Sequence, residues 1–274
     1  MANFQFDQAD GLRRILAGSK PRIVTFLFAD TGEQKCTLLA NLGASLARAG
    51  STVVLLDACP AERGFTGRIA ASLSATPAAT LLQVARREST LEDAVHILPQ
   101  GFGIAALGDG SRSDFEQHGA RLATAFRQLV EQNDIVMVDA ELDDDDGYGD
   151  LLPLQAMADG EIVIQVSPDA ASIQSAYSII KRLNARLGRR PFSVLVTDAS
   201  EQRAQTVYRN LEQTATRYLS LQLHSLGSVP PDEHLTRAAR LGRTVIDAFP
   251  MAGASVAFRH IAGRFSSADA RPGA

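Results

Sequence analysis

The sequence predicts an α/β protein: a doubly wound, mostly parallel sheet with helices on both faces. Two observations predict it. Short β-branched runs alternate with helix-length segments rich in alanine and leucine along the 274-residue chain. Several of those runs are nearly continuous apolar stretches, which suits strands covered on both faces. In order, strands are expected at 23–28, 52–56, 103–107, 135–138, 161–166 and 192–196, with a weaker one at 221–226. Helices are expected at 36–48, 79–87, 113–131, 170–187, 201–216 and 232–240. The first helix is closed by Ala49-Gly50, a usual stop. No internal repeat is visible.

Bulk properties narrow the class. With 45% apolar and 21% charged residues, a full core can form. No stretch is apolar for long enough to cross a bilayer, and the N-terminus lacks a basic-then-apolar secretory pattern, so the chain is expected in the cytoplasm. The two cysteines, Cys36 and Cys59, are too few for a disulfide framework and match no zinc spacing. A formal charge of −4 without a Lys/Arg block disfavours nucleic acid as a partner. The expected organisation is an N-terminal arm and hinge (1–20), one α/β domain (21–265) and a flexible tail (266–274).

Between the first strand and the first helix, Asp30 to Thr37 reads D-T-G-E-Q-K-C-T. Its placement suits the phosphate loop G-x-x-x-x-G-K-[ST], of which Gly32 and Lys35 survive. Such a loop works because small residues let backbone N–H groups converge on phosphate oxygens at a helix N-terminus. Lys35 stands where a lysine spans the β- and γ-phosphates. Cys36 stands where a hydroxyl should coordinate magnesium, and a thiol is a poor ligand for that hard ion. Gln34 adds bulk, while Asp30 and Glu33 add negative charge. A plain polar β-to-α turn is the alternative reading.

Two later strands end on carboxylates. Asp57 closes the second strand, with Cys59 two residues beyond, and strand ends of this kind face the ligand crevice. An Asp in this position also commonly caps a turn. Asp139 closes the strand at 135–138, a position that can hold magnesium through water, and opens a run of acids, Glu141 and Asp143 to Asp146. Beside a triphosphate that run would repel; otherwise it is a solvated acidic loop.

Taken together, these segments resemble the MinD/ParA family of deviant Walker ATPases over nearly the whole chain, and most closely its flagellar-placement branch, FlhG (also called FleN). The family's K-G-G-V-G-K-T-T loop and A-N-L-A helix correspond to D-T-G-E-Q-K-C-T and to Ala40-Asn41-Leu42 with its sequel to Gly50. The segment from Thr80 to Val95, the Ser167-Pro168 and Ala176-Tyr177 pairs, and Pro230, Asp232 and Ala238 to Val245 resemble further family stretches, with Thr244 in place of a proline.

By that resemblance, the lysine that reaches a partner's nucleotide across a dimer is Asp30. The phosphate-contacting glycine is Gln34, the magnesium-binding threonine is Cys36, and Thr37 survives. The first Asp of a D-x-D pair is kept as Asp57, while its second, linked to hydrolysis, is Cys59. Asp139 is kept, but the glycine that follows it is Asp143. These departures remove charge neutralisation and positioning together. They imply a pseudo-ATPase, with ATP or ADP bound weakly if at all through Gly32, Lys35, Cys36, Thr37, Asp57 and Asp139, and a poor magnesium site. A weak or unconventional ATPase that dimerises on nucleotide is the alternative.

The N-terminal arm carries Asp7, Gln8, Ala9, Gly11, Leu12, Arg13 and Ile15. This resembles the branch's D-Q-A-x-G-L-R-x-L segment, which implies docking on, and stimulation of, an FlhF-like GTPase. Flagellar basal-body or regulatory proteins are further implied partners. At the other end, Val256, Phe258, Ile261 and Phe265 could form a membrane-binding stripe, but the segment is short and Gly263 weakens it. Packing on the domain is the expectation, with membrane contact weak or indirect.

Overall fold

The computed structural model describes residues 21–30, 34–60, 63–66, 77–142 and 152–266. Strand β1 (Arg22–Phe28) leads to helix α1 (Gln34–Arg48) and strand β2 (Val53–Asp57). After α2 (Leu81–Arg86) come β3 (His96–Ile97), β4 (Gly103–Ala106), α3 (Arg112–Glu131) and β5 (Ile135–Ala140). A 3-10 turn at Gln155–Ala158 precedes β6 (Glu161–Val166), α4 (Ala170–Leu187), β7 (Phe192–Thr197), α5 (Glu201–Leu219) and β8 (Leu223–Val229). Helices α6 (Glu233–Arg240), α7 (Val245–Ala248) and α8 (Gly253–Ser266) follow.

The strands form a single eight-stranded sheet in the order β3-β4-β2-β5-β1-β6-β7-β8. Every pairing is parallel except that of β3 with β4. The doubly wound α/β architecture read from the sequence is therefore the one observed. Helix α7 and two features of the sheet were not anticipated. β3 is two residues long and too short to carry a periodic signal. The last strand runs to Val229 and pairs with β7 through a register irregularity at Val194/Leu195.

Alternation along each strand sends side chains to opposite faces. Val24 and Phe26 of β1 join a cluster with Leu39, Leu42 and Leu46 of α1 and with Phe258, Ile261 and Phe265 of α8. Leu27, with Val54, Leu56, Ile162 and Ile164, joins Leu122, Phe126 and Leu129 of α3 and Ile180 and Leu183 of α4. Each such fully buried side chain contributes about 1.5–3 kcal/mol. The one polar side chain in the middle of β1, Thr25, donates its hydroxyl to the Met157 carbonyl at 2.6 Å, so it enters the core satisfied.

Helix caps mark where the sheet connections turn. Thr80 and Gln83 form a capping box on α2, Ser111 and Asp114 form one on α3, and Asp169 caps α4. Helix α1 is also fixed at its far side: the Val245 amide donates to Asn41 Oδ1 at 2.7 Å, and Arg48 is ion-paired with Asp247.

Because Phe258, Ile261 and Phe265 are spent on the core, the C-terminal stripe lies against the domain, as expected from its length. No described helix is long and apolar enough to cross a membrane. The arm residues Asp7 to Ile15, with Gly32 and Asp143, lie outside the described residues.

Chain connections leave β1 toward β2 on one side, and after β5 they cross to β6 on the other. The carboxyl end of β1 is thus the switch point at which open α/β sheets bind ligands.

Candidate functional site

Lys35, in the first turn of α1, turns its side chain down over the ends of β2 and β5. Its Nζ lies 2.8 Å from Asp139 Oδ1, 3.2 Å from Cys59 Sγ and 3.9 Å from Glu141 Oε1. The ring of Phe28 faces the same ammonium at 5.5 Å. Lys35 is 6% exposed and Asp139 is wholly buried. Burial, the largest single influence, works to lower the lysine's pKa, but the Asp139 charge, the Cys59 contact and the hydrogen bonds to both together hold the ammonium above its ordinary range. Burial pushes Asp139 up to about 6 in spite of that lysine. Cys59 is also pushed up, by burial first and then by the Asp139 charge, so it stays a neutral thiol.

Asp57 sits in the same group but faces inward to a turn. Its Oδ1 accepts the Cys59 amide at 3.1 Å, and its Oδ2 accepts the amide and hydroxyl of Thr66 at 2.7 and 2.5 Å. The turn passes so close that a Cβ on Gly64 would stand 2.3 Å from the carboxylate. Burial raises the pKa of Asp57, while the Thr66 and Cys59 hydrogen bonds oppose this. The turn-capping role considered for a strand-end Asp is the one Asp57 fills here.

The neighbouring half of the crevice is open. A cleft of about 260 Å³ lies over the ends of β1, β6, β7 and β8, with Asp30, Gln34, Thr37, Gln165 and Asp198 in its wall. Gln165 Nε2 donates to Asp30 Oδ2 at 3.2 Å and to Thr197 Oγ1 at 2.7 Å, and Gln34 Nε2 donates to Asp198 Oδ2 at 3.1 Å. Asp198 adopts a left-handed backbone, φ 58°, which side-chain-bearing residues adopt at a cost. Asp232 also lines the cleft. Burial works against its ionisation, but the Ala254 and His234 amides and the His234 ring hold its carboxyl low.

The structure thus brings together Lys35, Asp57, Cys59 and Asp139 in one buried knot, and places Asp30 and Thr37 in the cleft beside it. Cys36 is half-buried against the α1 side of the core. Sequence reasoning missed Gln165, Asp198, Gly64 and Thr66. Asp198 carried the same signal as Asp57 and Asp139, an acid just beyond a strand. Gln165 was marked only by being polar within the apolar run of β6.

Magnesium-bound ATP is the group the family resemblance implies, and the knot can be tested against it. One oxygen, Asp139 Oδ2, is buried without a hydrogen-bond partner, and ligand atoms of Asp57, Cys59 and Asp139 lie within 4.8 Å of one another. A cation could use that oxygen. The rest of the donor set argues otherwise: a protonated thiol and a carboxylate committed to Thr66 are poor magnesium ligands. The lysine that should meet phosphate is already ion-paired in the interior, and Asp30 and Asp198 add negative charge to the cleft beside it. Among the described residues, this donor set does not fit a magnesium-bound triphosphate.

No family model matches the sequence. Whole-chain comparison finds a relative in the antiactivator FleN of Pseudomonas aeruginosa, 32% identical over 241 residues, or 86% of this chain and 83% of FleN. An uncharacterized ATP-binding protein of Methanocaldococcus jannaschii is 26% identical over 86% of this chain and 84% of its own length. Among solved structures, the septum site-determining protein MinD of Pyrococcus horikoshii, complexed with Mg-ADP, superposes with a TM-score of 0.62. That match covers 90% of this chain and 96% of MinD at 18% identity. Kinship with FleN over most of both chains, with the shared fold of MinD, shows that the chain belongs to the MinD/ParA family of deviant Walker ATPases.

Proposed function

We propose that the chain is a regulatory member of this family that acts by binding partners and runs no ATP cycle of its own. The observation that carries this reading is the ion pair of Lys35 with Asp139, buried beside a thiol where a second catalytic carboxylate is expected. Phosphoryl transfer needs metal-neutralised phosphates and a free lysine. Here the lysine neutralises the protein's own acid. Titration of the purified chain with ATP, with and without Mg²⁺, tests this: no saturable binding at millimolar ATP is expected. Magnesium-dependent turnover that disappears in Lys35→Ala would overturn it.

The partner proposed is an FlhF-like GTPase, engaged through Asp7, Gln8, Ala9, Gly11, Leu12, Arg13 and Ile15. Leu12 and Ile15 supply apolar anchors and Arg13 a charge-assisted contact. Kinship with a protein named as an antiactivator supports a regulatory role. A pull-down and GTPase assay should show stimulation by the full chain and none by a chain lacking residues 1–16. Equal stimulation by both would remove the arm from the proposal.

The relatives favour a second reading more directly: a nucleotide-binding ATPase of weak or unconventional type that dimerises on nucleotide. One relative is named as ATP-binding, and the P. horikoshii MinD structure holds Mg-ADP. Under that reading Lys35, Asp57 and Asp139 would do the work, and the ATP titration separates the two.

A further inference from the structure

We propose that the open cleft beside the knot receives a small organic cation, a guanidinium- or amine-bearing group, where the fold would otherwise place anionic phosphates. This rests on the reading of the nucleotide site as silent. Among the described residues, three carboxylates, Asp30, Asp198 and Asp232, line the cleft, against a single ammonium, Lys35. That ammonium is already paired with Asp139. Among the described residues neither Asp30 nor Asp198 has a cationic partner; each receives a hydrogen bond from a neutral amide, Gln165 or Gln34.

Gln165 gives an independent indication. It lines the cleft, is 3% exposed, and commits its NH₂ group to Asp30 and Thr197. Its Oε1 is buried without a donor. Buried acceptors of this kind are nearly always satisfied in folded proteins. Among the described residues, the cleft wall therefore carries two carboxylates without a cationic partner, and behind them a buried amide oxygen without a donor.

A guanidinium carries five N–H donors in a flat fork and no acceptor. Val229, Leu235 and Phe258 provide apolar wall for the methylene chain behind it. Size agrees as well. At about 260 Å³ the cleft falls just under the range of about 300–1,000 Å³ that holds drug-sized ligands, and suits a side-chain-sized group.

Such a group could arrive as a free small guanidine or as an arginine side chain of another polypeptide. Calorimetric titration of the full chain with agmatine, with capped Gly-Arg-Gly, and with capped Gly-citrulline-Gly tests the proposal. Saturable binding of agmatine at millimolar concentration or below is expected, with the neutral citrulline peptide weaker by about tenfold or more. Binding of the arginine peptide as well would assign the site to a side chain, and binding of agmatine alone to a free ligand. Asp30→Asn and Asp198→Asn should each weaken agmatine by about tenfold while leaving the thermal midpoint in place. Failure of both cations to bind, or binding that ignores either substitution or the loss of charge in citrulline, overturns the proposal. ATP in the same series separates the two readings. If neither ATP nor a cation binds, only the cation proposal falls. Magnesium-dependent ATP turnover would remove both.

Discussion

Two halves of one crevice, on either side of the carboxyl end of β1, handle charge in opposite ways. Over β2 and β5, buried Lys35 and Asp139 and half-buried Cys59 satisfy one another almost completely. Over β6 to β8, Asp30 and Asp198 stay at a wetted surface with neutral amides as their partners. The difference follows from solvent. A charge removed from water must find an opposite charge or give up its own, whereas one at a cleft wall can stay solvated at little cost. The buried half is consequently a structural element, and the open half is where recognition remains available.

The sharpest way to break the buried half is Lys35→Met, which leaves Asp139 charged and alone in the interior. A loss of about 3–5 kcal/mol in urea unfolding is expected. A loss below 1 kcal/mol would show that the ion pair carries little of the fold. Next comes pH. Asp139 has its folded pKa pushed up to about 6 from 3.8 in the unfolded chain. Its contribution is thus fully present below about pH 4 and is lost as pH rises through about 6. Relative to Asp139→Asn, the native chain should lose up to about 3 kcal/mol across that window. Parallel curves for the two proteins would refute the assignment.

Gly64→Ala then tests the Asp57 turn, because the added methyl would meet the carboxylate at 2.3 Å. A cost of about 1–3 kcal/mol is expected in thermal unfolding, relieved in part by Asp57→Ala. The smallest effect belongs to the open half. Asp198→Asn should change stability by no more than about 0.5 kcal/mol, since it removes an exposed charge held only by Gln34. A large loss there would mean that the cleft is part of the scaffold after all.

Much of this was legible in the residues. Strands such as Ile135–Ala140 are buried at every position, and the apolar run from Ile135 to Val138 reads plainly as interior parallel strand. β8 was harder, because its burial alternates with half-exposed Ser, Gly and His at the sheet edge. The short β3 and α7, of two and four residues, span barely one period each. For the site, the strand-end rule found Asp57 and Asp139, and loop placement found Lys35. What the sequence could not give was direction. Nothing in it says that Lys35 folds inward to Asp139, that Asp57 is taken by Thr66, or that Gln165 ends with an unmatched oxygen, since each depends on contacts far apart in the chain.

One tether bears on how the molecule can respond. Helix α1 carries Lys35 in its first turn, yet Asn41 and Arg48 hold its body to α7. With the rod pinned, the lysine can exchange partners only by swinging its own four-carbon stem. Whatever draws the ammonium away is then felt by a single flexible arm and leaves the backbone still, so occupancy of this corner would reach the outer surface as a change of charge and not of shape.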